Sequence, residues 1–196
     1  MNVTMKAPLA ILISGRGSNM AALIEAARAE DCPYAVALVA SNNPDADGLR
    51  IARNAGIATF AHSHKGLERE DFDAIIDRAL RKAGVRYVAL AGYMRIMSDA
   101  FVRGWAGRML NIHPSLLPKY KGLDTHRRAI EAGDAEGGCS VHLVTPTLDD
   151  GEVIAQASIA IVPGDTAETL AARVLKAEHQ LYPAALAAYV RGHVGR

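Results

Sequence analysis

The strongest constraint on this chain is a rhythm. Short, largely apolar runs alternate with amphipathic stretches through residues 8–112. Residues 8–14, 34–40, 57–61, 87–91 and 108–112 read as strands. A strand that is apolar at nearly every position, rather than at alternate ones, has to be covered on both faces. The stretches between have helical spacing. Met20, Leu23, Ile24 and Ala27 recur at i, i+3, i+4 and i+7; residues 46–55 close at Gly56; Phe72, Ile75, Ile76, Ala79 and Leu80 form a stripe that stops at Gly84. The order β-α-β-α-β-α-β predicts an α/β fold: a mostly parallel, twisted sheet with helices on both faces.

After residue 113 the rhythm changes. A Pro-containing loop (113–124) precedes a short helix near 125–132, and residues 140–145 and 153–162 read as strands. Their connection, Thr147-Leu148-Asp149-Asp150-Gly151, is short, so this pair is expected to be antiparallel. Asp165-Thr166-Ala167-Glu168 has capping-box spacing and opens a last helix carrying Leu170, Val174, Ala177 and Leu181. No repeat, low-complexity tract or linker interrupts the 196 residues, and one domain spanning 1–196 is expected.

Composition narrows the function. Half of the residues are hydrophobic, enough for a sizeable core. Lys and Arg number 22 against 21 Asp and Glu, a net charge of +1, which removes the bulk electrostatic case for binding nucleic acid or a membrane surface. Cys32 and Cys139 form neither a disulfide framework nor a CxxC motif, which fits a reducing cytoplasm. The first apolar run, about seven residues, leads into Gly15-Arg16-Gly17 with no small-residue cleavage site, so no signal peptide is expected, and no window of about 18 apolar residues offers a membrane span. Small-molecule partners are expected, with a monomer or a homodimer both open.

Three places carry candidate chemistry. Gly15-Arg16-Gly17-Ser18-Asn19 follows the first strand and opens a helix. Small residues let backbone N–H groups approach an anion, and a helix N-terminus favours negative charge. Met20 stands where a dinucleotide fingerprint needs its third Gly, and no Gly-Lys-Ser/Thr follows, so a monophosphate suits the loop better; a plain strand-to-helix turn is the alternative. Asn111 and His113 lie two apart at the end of an apolar strand, hence on one face at the carboxyl edge of the sheet. Asn offers an amide donor to a developing oxyanion, and His exchanges a proton near neutral pH; a strand-end Asn and a His within a structured loop are the alternative. Asp149 reads first as a turn former. If it reached His113, its carboxylate would raise the imidazole pKa and hold the ring's orientation. His62 and His64 have no further ligand at metal spacing. His142 reads as a packed or exposed strand residue, and His126 is close enough to the Pro loop to line a site.

GRGSN, LAGYMRIMS (90–98), NIHPSLLPKYKGLDTHRRAIEAGD (111–134), SVHLVTPTLDDGEVIAQ (140–156) and EHQLYP (178–183) together closely resemble the phosphoribosylglycinamide formyltransferases. NIHPSLLP with a downstream LDxG marks the superfamily of folate-dependent formyltransferases and hydrolases; the GxGSN loop and the EHxxYP ending narrow it to the purine branch. The resemblance implies a Rossmann-like formyltransferase fold and transfer of the formyl group of 10-formyltetrahydrofolate, without a metal, to the amine of glycinamide ribonucleotide. It implies that His113 is the general acid, that Asp149 raises its pKa, and that Asn111 helps stabilise the oxyanion. It implies ribonucleotide binding by Gly15, Arg16, Gly17, Ser18, Asn19 and Glu178. It implies folate binding by Arg69, Met94, Arg95, Ile96, Met97, Asn111, Thr145 and Asp149. Family members often have His where this chain has Asp124, and some have a polar residue at Leu175, a loss that Arg16 is placed to offset. A formyltetrahydrofolate hydrolase or another N-formyltransferase is the alternative. The hydrolase and tRNA branches usually carry a further domain, for which 196 residues leave no room.

Overall fold

The structure, a computed structural model, describes residues 5–193. Five strands form the parallel part of the sheet: β1 (Ala7–Ile13), β2 (Tyr34–Ser41), β3 (Thr59–Ala61), β4 (Tyr87–Leu90) and β5 (Met109–His113). β6 (Glu136–Leu143) runs antiparallel to β5, and β7 (Val153–Ala160) antiparallel to β6. The spatial order is β3-β2-β1-β4-β5-β6-β7. The expected α/β class, the parallel first half and the antiparallel later strands all hold.

Two apolar layers cover the sheet, as runs like Leu9–Ile13 require. On one face, α1 (Ser18–Ala27), α2 (Asp47–Asn54) and α6 (Ala167–His193) bury Met20, Leu23, Leu49, Leu170, Val174 and Leu186 against Leu9, Ile11 and Ile13. On the other, α3 (Arg69–Lys82) and α4 (Asp99–Gly104) bury Phe72, Ile76, Leu80, Phe101 and Trp105 against Ala10, Leu12, Val88 and Met109. The short α5 (Thr125–Glu131) follows the Pro loop.

This order sets where ligands bind. From β1 the chain moves outward to β2 and β3, then returns to place β4 on the other side of β1. The loops after β1 and β4 therefore part, leaving a crevice at the carboxyl ends of the strands. The GRGSN loop follows β1, the 91–98 loop follows β4, and Asn111 and His113 end β5.

Local features depart from the sequence expectation: α4 was not expected, and β3 starts at Thr59 rather than residue 57. β6 starts at Glu136 rather than residue 140. Gly137 and Gly138 conceal it, being poor strand formers, yet a Cβ at Gly138 would lie 2.1 Å from the Ala157 carbonyl oxygen and 2.7 Å from Leu116. The glycine admits a close approach that any side chain would block. At the start of α6, the reciprocal capping bonds join Thr166 and Thr169 (Thr166 N–H to Thr169 Oγ1 2.9 Å; Thr169 N–H to Thr166 Oγ1 3.3 Å), not Asp165 and Glu168. Asp165 instead accepts from Arg173 Nη1 at 2.7 Å. Finally, the buried stripe of α6 is Leu170, Val174, Glu178, Tyr182 and Leu186, spaced by four, so a carboxylate lies within the helix's core face.

Candidate active site

A cleft of about 920 Å³ opens at the carboxyl edge of the sheet, near the upper end of the range of small-molecule sites. Asn111, His113 and Asp149 form part of its lining, with the 92–97 loop, the 122–127 segment, the 144–149 loop and the pair Asn19 and Glu178 around them. Met94, Ile96, Leu123 and Leu148 line it while each remains more than half exposed. Large apolar side chains left in water around a polar floor mark a surface for a ligand with an apolar part.

The floor is built by strand register. Asn111 on β5 pairs with His142 on β6, and His113 with Ser140. Asp149 reaches in from the loop joining β6 and β7; its backbone is left-handed (φ 49°), uncommon for a residue other than glycine. Its Oδ2 accepts the Gly122 N–H at 2.9 Å and lies 3.4 Å from His113 Nδ1. Its Oδ1 lies 3.6 Å from His142 Nε2. His113 Nε2 lies 3.0 Å from the carbonyl oxygen of Tyr120, another left-handed residue (φ 56°). Acceptors thus face both ring nitrogens of His113, an arrangement that the imidazolium satisfies with two donors and a neutral ring with one. His113, His142 and Asp149 are all buried.

The surrounding loops are held by their own bonds. Ser115 Oγ donates to the Lys119 carbonyl (2.7 Å), Thr125 Oγ1 to the Pro114 carbonyl (2.7 Å) and Tyr120 Oη to Asp134 (2.6 Å). Lys121 and Asp150 form an ion pair that joins the 113–124 loop to the 144–151 loop. Across the cleft, Ser14 Oγ accepts the Met94 N–H at 2.8 Å and donates to Asn42 Oδ1 at 2.6 Å, tying the 91–98 loop to β1 and β2.

At the other end of the cleft, Asn19 Nδ2 donates to Glu178 Oε2 at 2.6 Å, while Asn19 Oδ1 is buried without a hydrogen-bond partner. Burial pushes the Glu178 carboxyl above the usual range, opposed by the bond from Asn19. Gly17 caps α1 in a left-handed conformation (φ 75°), and no side chain caps that helix. Tyr182, one turn beyond Glu178, lies 3.0 Å from both the Leu90 and the Leu110 carbonyl oxygens, fixing α6 beneath β4 and β5.

Residues 7–186 match the formyl transferase family. The chain belongs to that family. It is 46% identical over 187 residues to the phosphoribosylglycinamide formyltransferase of Escherichia coli K12, covering 95% of this chain and 88% of that protein. It superimposes on the crystal structure of phosphoribosylglycinamide formyltransferase from Brucella melitensis with a TM-score of 0.91 and 49% identity, over 95% of this chain and 96% of the other. It is also 49% identical over 187 residues to the trifunctional purine biosynthetic protein adenosine-3 of Drosophila melanogaster, of which it spans only 14%.

In this formyl transferase the structure brings most of the expected site residues together. Asn19, Met94, Arg95, Ile96, Met97, Asn111, Thr145, Asp149 and Glu178 line one cleft with His113. Gly15, Arg16, Gly17 and Ser18 sit at its end beside Asn19 without forming its wall. Arg69 is exposed at the first turn of α3 and is not in the lining. Asp124 lines the cleft, with Oδ2 accepting from Arg127 Nη2 at 2.6 Å. Leu175 is half-buried on α6 outside the lining. Among the described residues, no group of three or more His, Cys, Asp or Glu is placed to hold a metal ion, and no helix is long and apolar enough to cross a membrane.

Three contributors escaped the sequence reading. Gly48 packs against the GRGSN loop: its N–H donates to the Gly15 carbonyl at 3.0 Å, and a Cβ there would lie 3.2 Å from Gly17 Cα. Asp73, buried on α3, accepts the Ser98 N–H at 2.5 Å and anchors the end of the 91–98 loop. An Asp within the stripe of Phe72 and Ile76 was the available signal. His142 is the third.

Proposed function

We propose that this chain transfers the formyl group of 10-formyltetrahydrofolate to the amine of glycinamide ribonucleotide, giving formylglycinamide ribonucleotide and tetrahydrofolate in purine biosynthesis. The observation that carries this reading is the single cleft in which a polar floor of Asn111, His113 and Asp149 lies between the rim formed by Met94, Ile96, Leu123 and Leu148 and the end formed by Asn19 and Glu178. The apolar rim suits a pterin ring, with backbone groups of residues 94–97 meeting its polar edge. The start of α1, which no side chain caps, with Arg16 beside it, suits a phosphate. Glu178 suits the polar groups of the ribonucleotide. The relatives named for this activity, at 46% and 49% identity over nearly the whole chain, support the same substrates.

The chemistry follows from charge. Attack of the amine nitrogen on the formyl carbon forms one C–N bond and places negative charge on the formyl oxygen. Asn111 Nδ2–H and protonated His113, whose Nε2–H has to leave the Tyr120 carbonyl to reach it, stabilise that charge; removing one such donor typically costs about 10²–10³ in turnover. Asp149 holds the His113 ring from Nδ1. His113 then serves as the acid that helps a proton move from the attacking amine to the departing N10 as the second C–N bond breaks. The cosubstrate supplies the activated formyl group, and the chain supplies position, charge and the proton. The two unpaired, buried thiols of Cys32 and Cys139 fit a cytoplasmic enzyme.

Steady-state turnover with both substrates tests the reading. Consumption of 10-formyltetrahydrofolate that depends on glycinamide ribonucleotide is expected. Equal consumption without the acceptor would identify a hydrolase instead.

A further inference from the structure

His142 looks like an ordinary strand residue in the sequence, and its bonds say otherwise. Its Nδ1 lies 2.8 Å from the Leu143 carbonyl oxygen, which can only accept, so Nδ1 carries a proton. In the neutral ring, Nε2 is then a bare acceptor. That nitrogen faces Asn111 Nδ2 at 3.2 Å.

We propose that His142 is a positioning residue: its bare Nε2 accepts one N–H of Asn111 and thereby fixes the carboxamide with its second N–H free for the developing oxyanion. This rests on the formyl-transfer reading above. A flipped Asn111 would set its Oδ1 against the Nε2 lone pair, acceptor against acceptor, and that repulsion selects one of two rotamers of nearly equal shape. The flipped amide would also present a carbonyl to the oxyanion, turning a stabilising donor into a repulsive group.

A neutral His142 has a second effect. Asp149 lies between two imidazoles, 3.4 Å from His113 Nδ1 and 3.6 Å from His142 Nε2. A proton on His142 Nε2 would compete with His113 for that carboxylate and place a donor against the Asn111 amide. The environment opposes it. Burial holds the His142 pKa below that of an ordinary histidine and nearby His113 lowers it further, against the opposing pull of the Leu143 carbonyl and of Asp149. His142 therefore stays an acceptor and leaves Asp149 to His113.

The test is a double-mutant cycle with a spectroscopic control. His142→Phe keeps a planar ring and removes the acceptor. It is expected to lower kcat about 10²-fold, the scale of a misplaced catalytic group, while leaving the KM for glycinamide ribonucleotide unchanged. His142→Gln, with an amide oxygen close to the position of Nε2, should recover most of the loss. In an Asn111→Ala background, His142→Phe should lower kcat no further, because the group it positions is gone. An equal loss in both backgrounds, or a Gln variant as slow as the Phe variant, overturns the proposal by assigning His142 a merely structural role. Long-range 1H–15N spectra of the unmodified protein read the tautomer independently of turnover. A protonated Nδ1 with a bare Nε2 is required, and a proton on Nε2 at neutral pH overturns the proposal even if the His142→Phe variant fails to fold. Failure of the unmodified protein to transfer formyl at all would count against the activity reading, and the spectra would still decide the tautomer.

Discussion

Replacing Gly48 by Ala tests how the GRGSN loop is held. An ideal Cβ at this position lies 2.5 Å from Ile13 Cδ1, 3.1 Å from the Gly15 carbonyl oxygen and 3.2 Å from Gly17 Cα. The isoleucine methyl group is the end of a flexible side chain and can turn away. The other two atoms are loop backbone, which has to move by a few tenths of an ångström. Overpacking of this kind costs about 1–3 kcal/mol, whereas the helix propensity of Ala over Gly returns about 1 kcal/mol. The net loss is then about 0–2 kcal/mol, a fall in Tm of less than about 8 °C for a chain this size. Stability alone is a weak readout; substrate selectivity is the sharper one. The displaced atoms belong to the loop assigned to the ribonucleotide phosphate, so KM for glycinamide ribonucleotide should rise while KM for 10-formyltetrahydrofolate stays put. Separate titrations of the two substrates, with a thermal melt of each protein, measure both effects. If neither KM changes, the Gly48 contact does not position the loop; if both rise together, the loop does not serve the ribonucleotide alone.

Other consequences follow from the same geometry. His113→Ala should abolish transfer while folate affinity measured by calorimetry changes little; unchanged turnover would remove His113 from the chemistry. Arg16→Ala should raise the ribonucleotide KM, and an unchanged value would leave the phosphate to the loop amides. Glu178→Gln should raise the same KM yet stabilise the fold at pH 7. Burial raises the folded-state pKa of Glu178 above its ordinary 4.5, so the wild-type protein loses stability as pH rises through that raised value. Gln lacks this loss, and the gap between the two proteins in urea midpoint should close as the pH falls below about 4.5. A gap that persists there would mean that the carboxylate charge is not its cause.

The parallel half of the fold was legible because its strands are apolar on both faces, as at Leu9–Ile13, and its helices carry clear stripes. The six-residue α4 was too short to show a period, and β6 began under two glycines, of which Gly137 packs against Leu170 and Gly138 against Ala157 and Leu116. At the site, Asn111 and His113 were readable from a spacing of two. What could not be read was the register across β5 and β6, which sets His142 against Asn111. The same holds for Gly48, whose role depends on a helix from elsewhere in the chain meeting the GRGSN loop. Arg69 shows the converse: a basic residue in a suggestive sequence position lies exposed outside the cleft lining.

The fate of a labelled formyl group tests the central claim most directly. With the label on 10-formyltetrahydrofolate and glycinamide ribonucleotide present, a single turnover should carry it into formylglycinamide ribonucleotide, with none appearing as free formate. Label recovered as formate, with the ribonucleotide unchanged, would contradict the account.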